Sequence, residues 1–274
     1  MDTGNAFVFY DIASNQPRRT FAPNPWKTRF ALNFKGVPYS TQWVELPDIG
    51  SLREGLGVQA NRTGPEGEAY HTLPLLQNTK KGDFVGDSFE IAMYLDNAYP
   101  DHHRLIQPHT TGLVAAFNAH VDGLFTKYSI LCTMPFDPAV LPTIVAIFMK
   151  RVAAMGKTSL ALTPEQREQM FKDFEANLGE LAKAYRHTGG TTDWSWRPQG
   201  TDVTAHGQRP PPGREEAGVY LDGEEPGYPD FIVGAWLKMM QECLPSEDWQ
   251  RLRSWQQGLW GRIVDALEPW TEMK

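Results

Sequence analysis

The sequence predicts a two-part fold, an α/β unit followed by an all-α unit. Over the first hundred residues short apolar strands alternate with helices, whereas from Thr111 onward apolar residues recur at helical spacing and stay there. The length, 274 residues, suffices for two ordinary domains. The boundaries are drawn at residues 1–100 and 111–274.

Ala6-Phe7-Val8-Phe9-Tyr10 reads as a buried strand. After a polar, proline-marked turn, a helix opens at Asn24-Pro25, with Asn24 as N-cap and Pro25 at the first helical position. Gly36 ends it as a C′ residue. Tyr39 to Leu46 is the second strand, and a short helix is expected near Leu52. Leu73-Pro74-Leu75-Leu76-Gln77 is the third strand, and Thr79-Lys80-Lys81-Gly82 turns it into a fourth, Asp83-Phe84-Val85-Gly86. Asp87-Ser88 starts a helix that Tyr99-Pro100 stops. The order is βαβαββα.

In the second part, Leu113, Val114, Phe117, Val121, Leu124, Phe125 and Tyr128 share one helical stripe. Thr163-Pro164-Glu165-Gln166 is a capping box that launches a second helix. Pro229-Asp230 precedes a third, and Leu252, Trp255, Leu259, Ile263 and Leu267 mark a fourth. Residues 189–227 interrupt the pattern: 13 of the 39 are Gly or Pro, the mark of a long loop.

Bulk properties exclude several functions. Twenty-six basic against 33 acidic residues give −7, which disfavours nonspecific nucleic-acid binding. The longest apolar run, Val140 to Met149, is about half of the ~20 residues a membrane span needs. Met1-Asp2-Thr3-Gly4-Asn5 does not begin a signal peptide, so a cytoplasmic location is expected. Cys132 and Cys243, the chain's two cysteines, make neither a disulfide framework nor a metal site. Nine Trp, 14 Phe and nine Tyr fit either a packed core or a site for flat aromatic ligands.

Three features point to chemistry. The strand–turn–helix around Ala22 and Asn24 aims unpaired N–H groups at an anion. Proline at the head of a strand lacks a ladder N–H, and a cis Leu73–Pro74 bond would offer the Leu73 backbone to a peptide-like ligand. At Gly86-Asp87-Ser88, a helix N-terminus with a hydroxyl suits a carboxylate and the Asp suits an ammonium, together the head of an α-amino acid. Each also has a plainer use, as an edge proline or an N-cap.

The order of these features, a proline before the third strand and Asp-Ser after the fourth with a helical domain following, resembles the glutathione transferases. Phe9-Tyr10-Asp11-Ile12, Pro23-Asn24-Pro25-Trp26-Lys27-Thr28-Arg29 and Ala31-Leu32-Asn33-Phe34-Lys35-Gly36 resemble more narrowly the etherase-related fungal-specific class A. The resemblance implies a thioredoxin-like N-terminal domain, glutathione as cosubstrate, a cis Pro74 and a homodimer. It implies that Leu73 pairs through its backbone with the cysteinyl part and that Asp87 and Ser88 hold the γ-glutamyl end. Gln59, Arg62 and His71 are candidates for the terminal carboxylate.

One position departs from the family pattern. A Ser commonly precedes the Asn of the turn by two residues and donates to the thiolate. Here that residue is Ala22. A free thiol has a pKa of about 8.5, and lowering it takes donors or positive charge. Asn24 and the helix N-terminus remain for that task, with Lys27 as a further cation, so weakened catalysis is expected with binding retained. The acceptor is expected between the domains, against Phe117, Val121, Phe125 and Tyr128, with Met134-Pro135-Phe136 as another wall and Trp194, Ser195 and Trp196 as a cover. Asp230 is read as a structural cap. The expected activity is a glutathione transferase acting on hydrophobic aromatic electrophiles or peroxides. The alternatives are a ligandin carrying aromatic small molecules and a glutathione-dependent ether-cleaving lyase.

Overall fold

The computed structural model describes residues 6–64, 67–154, 161–185, 219–221 and 223–274. Trp194, Ser195 and Trp196 lie outside the described residues, as does most of 189–227. The elements run β1 (Phe7–Ile12), α1 (Pro23–Phe34), β2 (Tyr39–Val44), α2 (Ile49–Gly55), β3 (Arg62–Thr63), β4 (Ala69–Tyr70), β5 (Leu75–Asn78), β6 (Phe84–Gly86) and α3 (Ser88–Ala98). The helical part follows as α4 (Thr111–Thr126), α5 (Leu141–Ala154), α6 (Pro164–Leu181), α7 (Tyr228–Cys243) and α8 (Ser246–Leu267). None of the described helices is long and apolar enough to cross a membrane.

The main sheet has the order β2-β1-β5-β6, with β1 parallel to β2 and β5 antiparallel to both of its neighbours. This is the thioredoxin-like arrangement. Alternation along β1 serves both faces: Phe7 and Phe9 join the large core, while Tyr10 joins a smaller cluster with Val44, Ile49, Leu73 and Leu75 beneath α2. The small hairpin β3–β4 is an element the sequence reading lacks, because two-residue strands carry no periodicity.

The helix α1 is wedged between the sheet and α7. Phe30 stacks on Phe231 at 5.5 Å, and Phe34 meets the same ring edge-on at 5.4 Å. A helix covered on both sides must neutralise its charges. Arg29 pairs with Asp11 of β1 at 3.1 Å, Lys35 with Asp96 of α3 at 2.7 Å, and Lys27 with Asp122 of α4 at 2.6 Å. Lys27, expected as free positive charge, is fully buried and also donates to Asn118 Oδ1 at 2.8 Å. Arg29 further donates to the Thr20, Thr41 and Tyr39 hydroxyls, tying β1, α1 and β2 together.

Three local expectations are corrected. The first helix begins at Pro23 with Ala22 as its N-cap, so Asn24 is a first-turn residue and not the cap. Leu113, placed on the core stripe of α4, is 74% exposed, because the stripe turns from the core at the first turn. The last helix is broken at Trp255–Gly258, where Gln256, Gln257 and Gly258 take φ of 47°, 62° and 80°. The Gln256 side chain holds this knuckle, donating to Glu175 O at 3.2 Å and accepting from Trp260 Nε1. The capping box at Thr163 and Gln166 is present. Asp230 accepts from the N–H groups of Gly227 at 2.9 Å and Leu221 at 2.8 Å.

Candidate functional site

The candidate site is built from three chain segments at one end of the strands β1, β5 and β6. The first is the N-terminus of α1. A helix start leaves four N–H groups without intrahelical partners. Here those positions are Ala22, Pro23, Asn24 and Pro25, and proline has no N–H. Two donors remain, the backbone N–H groups of Ala22 and Asn24. Neither is engaged among the described residues, and the Asn24 side chain also makes no hydrogen bond there. Relieved of capping, Asn24 can serve as a donor through side chain and backbone alike.

The second segment is Thr72-Leu73-Pro74. The Leu73–Pro74 bond is cis. Strand pairing begins only at Leu75, and among the described residues the Leu73 N–H and C=O have no partner. A buried residue with an unused donor and acceptor is a fitting partner for an extended peptide.

The third is Gly86-Asp87-Ser88. Asp87 sits at φ 75°, ψ 132°, a conformation costing a non-glycine residue about 1–3 kcal/mol. Its Oδ1 accepts from Phe89 N–H at 2.9 Å, and its Oδ2 has no hydrogen-bond partner among the described residues. Ser88 is buried at the start of α3 beside the Tyr228 hydroxyl, which makes no hydrogen bond of regular geometry with it. Burial raises the Tyr228 pKa well above the ordinary value, with the Asp87 and Asp122 charges adding to it and Ser88 opposing. Tyr228 therefore stays protonated at neutral pH.

A cavity of about 410 Å³ opens beside the first segment. Ile12, Phe21, Ala22 and Pro23 form one wall, Leu46, Pro47, Ile49 and Tyr70 a second, and Met134, Phe136, Ile147, Phe148 and Met239 a third. The lining is apolar apart from Tyr70, His71 and backbone. Phe21 and Phe136 meet edge-to-face at 5.4 Å across the domain boundary. His71 reaches Glu54 at 3.6 Å through Nε2, while its buried Nδ1 has no partner among the described residues. Gln59 and Arg62 are exposed, and Arg62 lies near enough to disfavour the charge on Lys27.

The four aromatic and apolar positions expected to face an acceptor lie elsewhere. Val121 and Phe125 are fully buried, and Tyr128 is 5% exposed. Phe125 stacks on Trp236 at 5.6 Å, and Tyr128 on Phe174 at 4.2 Å. Phe117 is half-buried against the same core, and none of the four lines the 410 Å³ cavity. Helical spacing alone cannot tell a core stripe from a cavity stripe. The signal that was available is the apolar run 140–149, whose helix α5 supplies Ile147 and Phe148.

Neither cysteine competes as a nucleophile. Burial pushes the Cys132 thiol up to about 12 and Cys243 higher still, so both stay protonated, and neither lines the cavity. The Tyr10 hydroxyl donates to Gln77 Oε1 at 3.0 Å.

Models of the glutathione S-transferase N-terminal and C-terminal domains match residues 21–98 and 209–270. The chain belongs to the glutathione S-transferase family. This transferase is 27% identical to CsGST63524 of Ceriporiopsis subvermispora, solved in complex with glutathione, with a TM-score of 0.80 over 98% of this chain and 99% of that one. It is also 27% identical to GSTFuA2 of Phanerochaete chrysosporium, with a TM-score of 0.78 over 98% and 100% of the two chains. The glutathione S-transferase-like protein ustS of Aspergillus flavus is 24% identical over 96% of this chain and 90% of its own length.

Proposed function

We propose that this transferase binds glutathione along the three segments and joins its sulfur to hydrophobic aromatic electrophiles, or reduces peroxides with it. The single observation that carries this reading is the position of Ala22, which is at once the N-cap of α1 and a wall of the apolar cavity. A sulfur held at that turn stands at the cavity edge. In this reading residues 1–100 bind glutathione and 111–274 supply the helical side of the acceptor site. The γ-glutamyl head lies on Asp87 and Ser88, the cysteinyl amide pairs with the Leu73 backbone ahead of Pro74, and His71 takes the glycyl carboxylate. The thiolate accepts from Asn24 and from the Ala22 and Asn24 N–H groups, and attacks the electrophilic carbon while the leaving group departs into the cavity. A cytoplasmic homodimer is proposed with it.

Ala22 favours a second reading, a ligandin. Without a hydroxyl at the lip, thiolate activation is weak, while the cavity still accepts flat aromatic molecules. An activity assay with an aromatic halide, run beside a thermal-shift titration with glutathione and a panel of polyphenols, separates the two. The transferase reading predicts stabilisation by glutathione and measurable conjugation. Strong stabilisation by polyphenols with no thiol conjugation would hand the function to the ligandin reading.

A further inference from the structure

Two of the three segments proposed for glutathione, Thr72-Leu73-Pro74 and Gly86-Asp87-Ser88, meet on one buried side chain. Arg53, on α2, is 1% exposed. Its Nη1 donates to Thr72 O at 2.9 Å, immediately before Leu73, and its Nη2 to Gln59 O at 2.5 Å. The guanidinium also lies against Gly86, where a Cβ would come within 3.0 Å of Nη1 and 3.1 Å of Nη2. A side chain at Gly86 would therefore press on the Arg53 guanidinium, and the next residue is the strained Asp87.

The charge on Arg53 is unmatched. Lys27, Arg29, Lys35 and Lys238 are also buried cations, and each has a carboxylate within 4 Å. Arg53 has none among the described residues, and its Nε has no hydrogen-bond partner there. A buried cation without a counterion is costly, and burial draws its pKa down accordingly.

We propose that Arg53 is a positioning residue of the glutathione site, one whose missing counterion is the bound tripeptide itself. This rests on the glutathione reading above. Glutathione carries two carboxylates and one ammonium, so it is net negative, and more so as the thiolate. Arg53 does two things for it. Its fork sets the Leu73 backbone and the Gly86–Asp87 corner in register with one another. Its charge, screened little by water, favours the ionised thiol at the α1 turn.

Two variants separate the fork from the charge. Arg53→Lys keeps the cation and loses the fork, whereas Arg53→Met loses both. Glutathione affinity is read by calorimetry, and thiol ionisation by the ultraviolet absorbance of bound thiolate against pH. Arg53→Lys should weaken binding about tenfold, the worth of one charged hydrogen bond to a backbone carbonyl, with the thiolate titration unmoved. Arg53→Met should weaken binding at least as much and shift the titration to higher pH. A packing role alone would not move that titration. Folded Arg53→Lys with wild-type affinity overturns the fork, and folded Arg53→Met with the wild-type titration overturns the charge. Should Arg53→Met not fold, Gly86→Ala, which displaces the guanidinium without removing it, must reproduce the weakened binding or the proposal falls. No binding by the wild-type protein would overturn the glutathione reading itself, a result distinguishable from unchanged variants of a protein that binds.

Discussion

Two strand-to-helix junctions of the sheet domain, β1–α1 and β6–α3, are finished differently. At β6–α3 the N-cap Asp87 holds Phe89 N–H from a strained backbone, with a buried serine behind it. At β1–α1 the N-cap is Ala22, which caps nothing, and prolines at positions 23 and 25 remove two of the four first-turn donors. One junction is equipped to hold a ligand's head, the other leaves a small set of donors beside an apolar cavity. Under the proposed function, the difference makes holding glutathione and activating its sulfur separable tasks in one fold. Substitutions at Ala22 should tune rate, and substitutions at Asp87 should tune affinity.

The largest effect is expected at the equipped junction. Replacing Asp87 by Ala removes a charged hydrogen-bond acceptor worth about 1.5–3 kcal/mol, so the glutathione dissociation constant should rise roughly ten- to hundredfold in calorimetry. Unchanged affinity would break the comparison. A smaller gain is expected at the bare junction. Ala22→Ser adds a hydroxyl that donates to the thiolate and so lowers the thiol pKa, by about one unit for a bond of 1.4 kcal/mol. The sign follows directly. The rate should rise about tenfold well below the wild-type thiol pKa and converge with wild type above it, where both are fully ionised. A flat ratio across pH would leave thiolate activation to Asn24 and the helix N-terminus. The smallest effect concerns strain. Asp87→Gly and Asp87→Ala lose the same carboxylate, but only glycine takes φ near 75° freely. The glycine variant should be the more stable of the two by about 1 kcal/mol, or 2–4 °C in melting temperature for a chain of this size. Equal melting temperatures would remove strain from the account of Asp87.

Much of the fold was legible because its signals are local. Gly36 at φ 64°, the Thr163 capping box and the Asp87-Ser88 start of α3 each depend on a few neighbouring residues. The turn around Ala22 and Asn24 is legible as a helix start for the same reason, although the helix begins at Pro23, one residue before Asn24. The wall of the apolar cavity was not legible. The stripe Val121, Phe125 and Tyr128 is as apolar as any cavity lining, and only its partners Trp236 and Phe174 show it to be core. Phe148 sat unread in a run judged only for membrane length, yet it is 39% exposed at the cavity.

Sequence alone determined the order of strands and helices, the proline and Asp-Ser signals, and the missing hydroxyl at Ala22, since each is written in residues adjacent along the chain. Tertiary structure decided which apolar stripes close into core and which stay open. It also decided that Lys27 meets Asp122 and not solvent, and that Arg53 is buried with no acid beside it among the described residues. Those outcomes depend on pairs 95 residues apart, as for Lys27 and Asp122, or on a carboxylate that no described segment brings within reach. Burial and charge pairing are properties of what packs against a side chain, and no run of neighbours specifies that.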